Sequence, residues 1–294
     1  MRSRSDVFQL STVTDATALT RLRIPTAVGT FDAVAAGPLD GRKVLLLHGV
    51  PECGIEWRHQ LRALAADGYR AVAPNQRGYS PGVRPKRVED YRLEHAVDDV
   101  AAIADQLGWR RFDLVGHDWG AVVGWVAAAK FAMRVRTLTA VSAPHPGAFG
   151  EALRDDPDQQ RRAALLDYLR QPEIPERALL ADGAARLREG WPSVIPRARV
   201  EQYVRQLSEP GALTAALNWY RANSFDGDYQ RVSVPTMYLW GTEDGAVGPE
   251  AAQATSDWVT GAYRFEVLDQ VGHFVPEEAA ERTTSLLLEH LAAH

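Results

Sequence analysis

Three side chains with complementary chemistry stand at the ends of short apolar runs: Asp118, Asp244 and His273. The first follows the run Phe112 to Val115 inside Gly116-His117-Asp118-Trp119-Gly120, and an Ala/Val-rich stretch of helical character, Ala121 to Lys130, begins at once. A strand that turns sharply into a helix lifts the residue at the turn above the sheet and aims the first free amides of the helix at it. Glycines on either side have a steric reason, because the turn strains the backbone and the returning helix passes close to the strand. A carboxylate in this place is ionised at neutral pH and can attack saturated carbon, displacing a leaving group and forming an ester. An imidazole can then activate water against that ester, while a second carboxylate orients the imidazole and stabilises its cation. Asp118, His273 and Asp244 are the residues for those three roles. An aspartate opening a helix also serves as a plain N-cap. The order in the chain, nucleophile then acid then base, favours the catalytic reading.

The elements that must position them alternate strand and helix. Residues 17–36 read as a pair of half-buried strands joined near Pro25 or Gly29, and Lys43 to Leu47 is a short continuous apolar run ending in His48-Gly49-Val50-Pro51. Helical spacing covers 57–67 and 91–107, closed by Gly68 and Gly108, with a strand over 69–73. After the strand 135–141 the alternation stops, and 144–230 reads as several helices broken by prolines at 172, 175, 192, 196 and 210. Alternation returns with strands at 235–240 and 263–268 and helices at 250–259 and about 277–291. The expected class is α/β: a mostly parallel sheet flanked by helices, formed by 1–143 and 231–294, with a helical cap of 144–230 inserted after the sixth strand. Such an insertion sits over the carboxyl ends of the strands, where open α/β sheets bind ligands. Two backbone amides suit an oxyanion: that of Val50, after the strand-end turn, and that of Trp119, which opens the nucleophile helix.

The chain has 294 residues, 46% hydrophobic and 24% charged, with a net charge of −5, enough for one large α/β domain with an insertion. That charge offers no basic surface for nucleic acid. The positive charge is nearly all arginine, with lysine only at 43, 86 and 130. The single Cys53 reads as a packing residue rather than a reactive thiol. Met1 to Asp15 is polar without an apolar core, so no secretory signal is expected, and no apolar stretch is long enough to span a bilayer. A cytoplasmic protein is the expectation. There is neither a phosphate-cradling glycine loop nor a His/Cys metal spacing, so no cofactor and no metal are expected; oligomeric state is not readable.

On these residues the chain resembles an α/β-hydrolase-fold protein of the Asp-nucleophile branch, similar to epoxide hydrolases and haloalkane dehalogenases. The likeness rests on His48-Gly49-Val50-Pro51, Gly116 to Gly120, Asp244 and His273, and spans about 17 to 291. It implies an epoxide opened to a vicinal diol through an alkyl ester of Asp118. Leu217-Asn218-Trp219-Tyr220-Arg221 matches the second cap-tyrosine motif of epoxide hydrolases, which makes Tyr220 the donor to the ring oxygen. The first cap tyrosine, counted back from Gln171-Pro172, falls on Leu165. Tyr168, three residues on, His145 and Trp191 are the alternatives for its place. His48, Pro51, Leu165 and Trp219 complete the expected substrate contacts. Aromatic residues of the insertion, Phe149, Tyr168, Trp191, Tyr203, Trp219, Tyr220 and Phe225, suit a small apolar or aromatic epoxide. Haloalkane dehalogenases commonly carry Asn after the His-Gly pair, where this chain has Val50, and fluoroacetate-type enzymes carry Arg where it has Trp119. The loop Gly78-Tyr79-Ser80-Pro81-Gly82 is close to, but not, the epoxide-hydrolase loop pattern. Dehalogenation, and a binding or ring-shaping protein that retains the three residues, are the alternatives to epoxide opening.

Overall fold

The computed structural model describes residues 17–294, so the Met1 to Asp15 stretch read for a secretory signal lies outside the described residues. β1 (Thr20–Thr26) and β2 (Gly29–Ala36) form an antiparallel hairpin in which Thr26 pairs with Gly29. Pro25 lies inside β1 opposite Thr30 rather than at the turn; the sheet tolerates it because β1 is an edge strand. The remaining strands are β3 (Lys43–Leu47), β4 (Arg70–Pro74), β5 (Phe112–His117), β6 (Val135–Val141), β7 (Thr236–Gly241) and β8 (Tyr263–Leu268). The eight strands stand in the order β1-β2-β4-β3-β5-β6-β7-β8. β2 is antiparallel to both its neighbours, and all pairs from β4 to β8 are parallel.

Every residue of β4, β5 and β7 is buried, as strands covered on both faces must be. Along β3 the two faces separate by alternation. Leu45 and Leu47 pack with Val97, Val100, Ile103 and Trp125 from α2 (Leu93–Gln106) and its neighbour in the chain, Trp119–Lys130. Val44 and Leu46 pack on the other side with Leu61 and Leu64 and with Leu286 and Leu287. Those leucines belong to Arg58–Ala66 and Ala280–Ala293. In chain order the helices are therefore α1 (Arg58–Ala66), α2, α3 (Trp119–Lys130), then six between β6 and β7, then three more. The six are α4 (Pro146–Asp155), α5 (Pro157–Arg162), α6 (Ala164–Arg170), α7 (Ile174–Ala184), α8 (Arg197–Leu207) and α9 (Ala212–Ala222). The last three are α10 (Pro249–Ala254), α11 (Val275–Glu278) and α12 (Ala280–Ala293). Among the described residues no helix is long and apolar enough to cross a membrane.

The single terminal helix expected over 277–291 is two helices, broken at Ala279 (φ −120°, ψ 43°). The break has a local cause: the Glu278 carboxylate accepts the Gly272 and Phe274 amides at 3.1 and 2.8 Å, tying the end of α11 to the loop that carries His273. The tight turn between β5 and α3 depends on its glycines as anticipated. A Cβ on Gly116 would lie 2.2 Å from the Gly120 carbonyl oxygen, and one on Gly120 would lie 2.2 Å from that of Leu47. Both obstacles are backbone, so neither can rotate away. Gly116→Ala is expected to lower stability by ~1–3 kcal/mol, seen as a lower urea midpoint at unchanged slope; an unchanged midpoint would contradict the close approach.

Candidate active site

Asp118 sits between β5 and α3 at φ 49°, ψ −120°, a strained setting for a residue with a Cβ. Its two oxygens have different surroundings. Oδ1 accepts the Val50 amide at 2.9 Å, while Oδ2 lies 3.4 Å from His273 Nε2. The other imidazole nitrogen, Nδ1, is 2.8 Å from Asp244 Oδ2. Asp244 is fully buried, and its Oδ1 accepts the amides of Ala246 and Val247 at 2.7 and 3.0 Å. The three groups read from the strand ends thus meet at the carboxyl edge of the sheet. Trp119, first residue of α3, has an amide with no acceptor inside its own helix.

Burial works against the charge of both central groups, and their mutual contact wins. Asp118 is held below its ordinary 3.8, because the His273 hydrogen bond and charge, the His117 charge and the Val50 amide outweigh desolvation. His273 is desolvated too, but Asp244 beside it and its contact with Asp118 push it up to about 10. The resting pair is therefore carboxylate and imidazolium. Neutralising Asp118 removes two of the contributions that keep His273 protonated.

Behind this pair lies a cluster that the sequence reading did not single out. His117 Nδ1 is 3.2 and 3.3 Å from carboxylate oxygens of Glu52 and Glu56, and its Nε2 is 2.9 Å from the His273 carbonyl oxygen. All three side chains are fully buried. Both ring nitrogens face only acceptors, so both must carry hydrogen, and His117 is an imidazolium. Burial opposes that charge, but the neighbouring Glu56 and Glu52 raise its pKa well above 6.5. Burial and the Glu52 charge push Glu56 well up, while the His117 charge and hydrogen bond pull it back. These three residues also have the ligand spacing of a metal site; the imidazolium already supplies the compensating cation there. Two glutamates four apart beside a His-Gly motif, and a histidine preceding Asp118, were the available signal.

A cavity of about 790 Å³ opens over Asp118, walled on one side by Val50, Pro51, Trp119 and His273 and on the other by residues of 144–230. Tyr220 lines it from α9 and is buried, its ring edge-on to Trp119 at 5.3 Å. Desolvation and the Asp118 charge raise its hydroxyl well above 10, partly countered by a hydrogen bond with the Trp119 indole, so it remains an O–H donor. Leu165 lines the mouth and is 60% exposed. Trp191 lines the wall, stacked on Tyr203 at 5.3 Å, but its indole N–H donates to the Leu187 carbonyl at 2.7 Å.

Four expected contacts lie outside the cavity lining. α6 turns Leu165, Leu166 and Leu169 toward the cavity, which on a 100° helical wheel leaves Tyr168 on the flank. The buried His145 ring stacks on Trp258 at 4.6 Å and accepts the Gly147 amide, and desolvation lowers its pKa to about 3. His48 accepts the Gln76 amide at 2.9 Å and faces the Gly49 carbonyl, bracing the turn before Val50. Trp219 donates to the Arg77 carbonyl at 3.0 Å beneath α9. Cys53 is a buried free thiol that desolvation pushes up to about 12.

A family model for the α/β hydrolase fold matches residues 43–280, and the chain belongs to that family. It is 32% identical to the AB hydrolase superfamily protein YfhM of Bacillus subtilis over 89% of this chain and 94% of that protein. It is also 32% identical to epoxide hydrolase A of Mycobacterium tuberculosis, covering 88% of this chain and 92% of the relative. Among solved structures, an epoxide hydrolase from hot-environment metagenomes matches with a TM-score of 0.86 at 28% identity, over 94% of this chain and all of that one. Epoxide hydrolase A of Mycobacterium thermoresistibile matches with a TM-score of 0.81 at 25% identity, over 94% and 98% of the two chains. The protein is an epoxide-hydrolase-like enzyme of this fold.

The charge coupling between Asp118 and His273 can be checked directly. Asp118→Asn, confirmed undeamidated by mass, keeps the shape and removes the charge. His273 is then expected to titrate well below about 10 in imidazole NMR; an unchanged titration would contradict the coupling.

Proposed function

We propose that the enzyme opens an epoxide by forming an ester on Asp118 and hydrolysing it to a vicinal diol. The observation that carries this is the unequal setting of the two Asp118 oxygens: Oδ1 held by the Val50 amide, Oδ2 beside His273 Nε2. Oδ2 attacks an epoxide carbon, the carbon–oxygen bond breaks, and its electron pair goes to the ring oxygen, where the Tyr220 O–H meets the developing charge. The ring oxygen takes the Tyr220 proton. The ester has no charge, so His273 loses part of what kept it protonated, its proton passes to the Tyr220 oxygen, and the neutral imidazole becomes a base. Water then gives a proton to His273 Nε2 and attacks Cγ of Asp118. Negative charge develops on Oδ1, where the Val50 and Trp119 amides act as the oxyanion hole. The bond from Cγ to Oδ2 breaks, Oδ2 takes the proton of the new Cγ hydroxyl, and the diol departs with Oδ2, leaving Asp118 a carboxylate. Asp244 aims the imidazole and supports its cation as water is deprotonated.

The leucines, Val122, Phe149 and Phe225 around the cavity suit a small apolar or aromatic epoxide, with Leu165, Trp191 and Pro51 as contacts and 144–230 as the cap. The cytoplasm is the proposed place of work, in keeping with a single cysteine present as a free thiol. One observation favours a second reading. Tyr220 bears the only hydroxyl among the described residues lining the cavity, and the Trp119 indole stands beside it. A lone O–H with an N–H neighbour would also suit a departing halide, which makes dehalogenation the alternative.

Both readings share one kinetic test, in which diol and free halide are assayed together after rapid quenching with trial epoxides and haloalkanes. His273→Gln should let the alkyl-enzyme accumulate as added mass, with release at least ~10²-fold slower. Tyr220→Phe should slow ester formation ~10²–10³-fold and leave ester hydrolysis unchanged. Free halide without diol would select the second reading, and no added mass on any variant would exclude both.

A further inference from the structure

We propose that Gln159, on α5, is a positioning residue for Asp244, so that the helical insertion itself completes the acid's geometry. The proposal deepens the two-step reading above and rests on it.

Asp244 lies in the loop 242–248 that links β7 to α10. Gly245 and Ala246 in that loop are exposed, while Asp244, Val247 and Gly248 are buried. The core grips the loop at Val247, whose carbonyl accepts the Trp240 indole N–H at 3.1 Å. Further contacts come from α5. Gln159 is fully buried, and both ends of its amide are committed to this loop. Its Nε2 donates to the Ala246 carbonyl at 2.8 Å, and its Oε1 accepts the Gly248 amide at 2.9 Å. One turn on, Arg162 donates to the carbonyl of Asp244 itself and pairs with Asp158 at 2.7 Å. The helix that offers these groups is fixed at its start: the Asp156 carboxylate accepts the Asp158 and Gln159 amides at 2.9 and 3.2 Å.

The peptide groups clamped by Gln159 adjoin those that define the acid. The Ala246 amide donates to Asp244 Oδ1, and the carbonyl of Ala246 is the one Gln159 holds. Val247, the second amide on that oxygen, lies between Ala246 and Gly248. Gln159 therefore sets the planes of the Ala246–Val247 and Val247–Gly248 peptide units. The first carries the Val247 N–H that aims the carboxylate, and the Ala246 N–H adjoins it, while the other carboxylate oxygen aims His273. A primary amide is suited to this work, because it offers a donor and an acceptor in one rigid plane. Loss of either partner strands a buried polar group, so the loop would move to recover it. Misplacement of the acid by about an ångström is enough to cost on the order of a hundredfold in a positioned reaction.

The two chemical steps separate this role from mere stabilisation. Ester formation uses Asp118 and the oxygen donor, whereas ester hydrolysis requires a well-aimed His273 and hence Asp244. In single-turnover rapid-quench experiments on the full chain with a trial epoxide, Gln159→Leu should form the ester within about twofold of the wild-type rate. Its ester should hydrolyse roughly ten- to a hundredfold more slowly and accumulate as added mass. Gln159→Glu retains the acceptor for Gly248 but not the donor for Ala246. It should fall between the two and carries the test if the leucine variant does not fold. Equal slowing of both steps, or hydrolysis at the wild-type rate in either variant, would overturn the role of Gln159 while leaving the two-step reading intact. A wild-type enzyme that forms diol with no ester would overturn the two-step reading and this role with it.

Discussion

A carboxylate at the floor of an apolar cavity would ordinarily gain a proton, because desolvation penalises its charge. Asp118 keeps its charge because three groups face it: the His273 imidazole, the His117 imidazolium behind it and the Val50 amide. That balance is what the surrounding structure serves. His117 can remain cationic in a fully buried position only with Glu52 and Glu56 around it. Its Nε2 in turn holds the carbonyl of His273, which the Ser142 hydroxyl also reaches at 2.7 Å. One buried cation thus steadies the charge of Asp118 and the backbone of His273.

The sheet provides these groups with fixed separations. Asp118, the Val50 turn and the Asp244 loop follow β5, β3 and β7, and strand spacing rather than side-chain flexibility sets the distances between them. The sharp turn at Asp118 is possible because Gly116 and Gly120 leave room for backbone to touch backbone. Rigid elements below and a helical insertion above divide the work: polar groups converge from the strand ends, and apolar walls come from α4 and from α6 to α9. Such a division lets a charged nucleophile exist without water competing for it.

What was legible in the sequence follows the range of the interactions involved. Buried strands and the glycine-flanked turn declare themselves locally, through short apolar runs and a spacing that only one turn geometry satisfies. The eight-stranded, mostly parallel sheet emerges from those signals. Facing in the insertion did not, because the rotation of a helix is set by its packing. Tyr168 is adjacent to the cavity in sequence terms, yet α6 presents Leu165, Leu166 and Leu169 instead. His145 and Trp219 have the composition of ligand contacts, but each uses its polar atom on backbone nearby. His117 with Glu52 and Glu56, and Gln159 with Ala246 and Gly248, join positions about sixty to ninety residues apart. No periodicity or motif connects them, and only the folded chain brings them together.

The central claim is that Asp118 is alkylated and then freed by attack of water on its own carbonyl carbon. The most direct measurement is a single turnover of a trial epoxide by excess enzyme in heavy-oxygen water, followed by mass analysis of the peptide bearing Asp118. Heavy oxygen in the Asp118 carboxylate, with a diol that lacks it, is the expected result. Heavy oxygen in the diol and none in Asp118 would mean that water opens the ring directly, contradicting the ester.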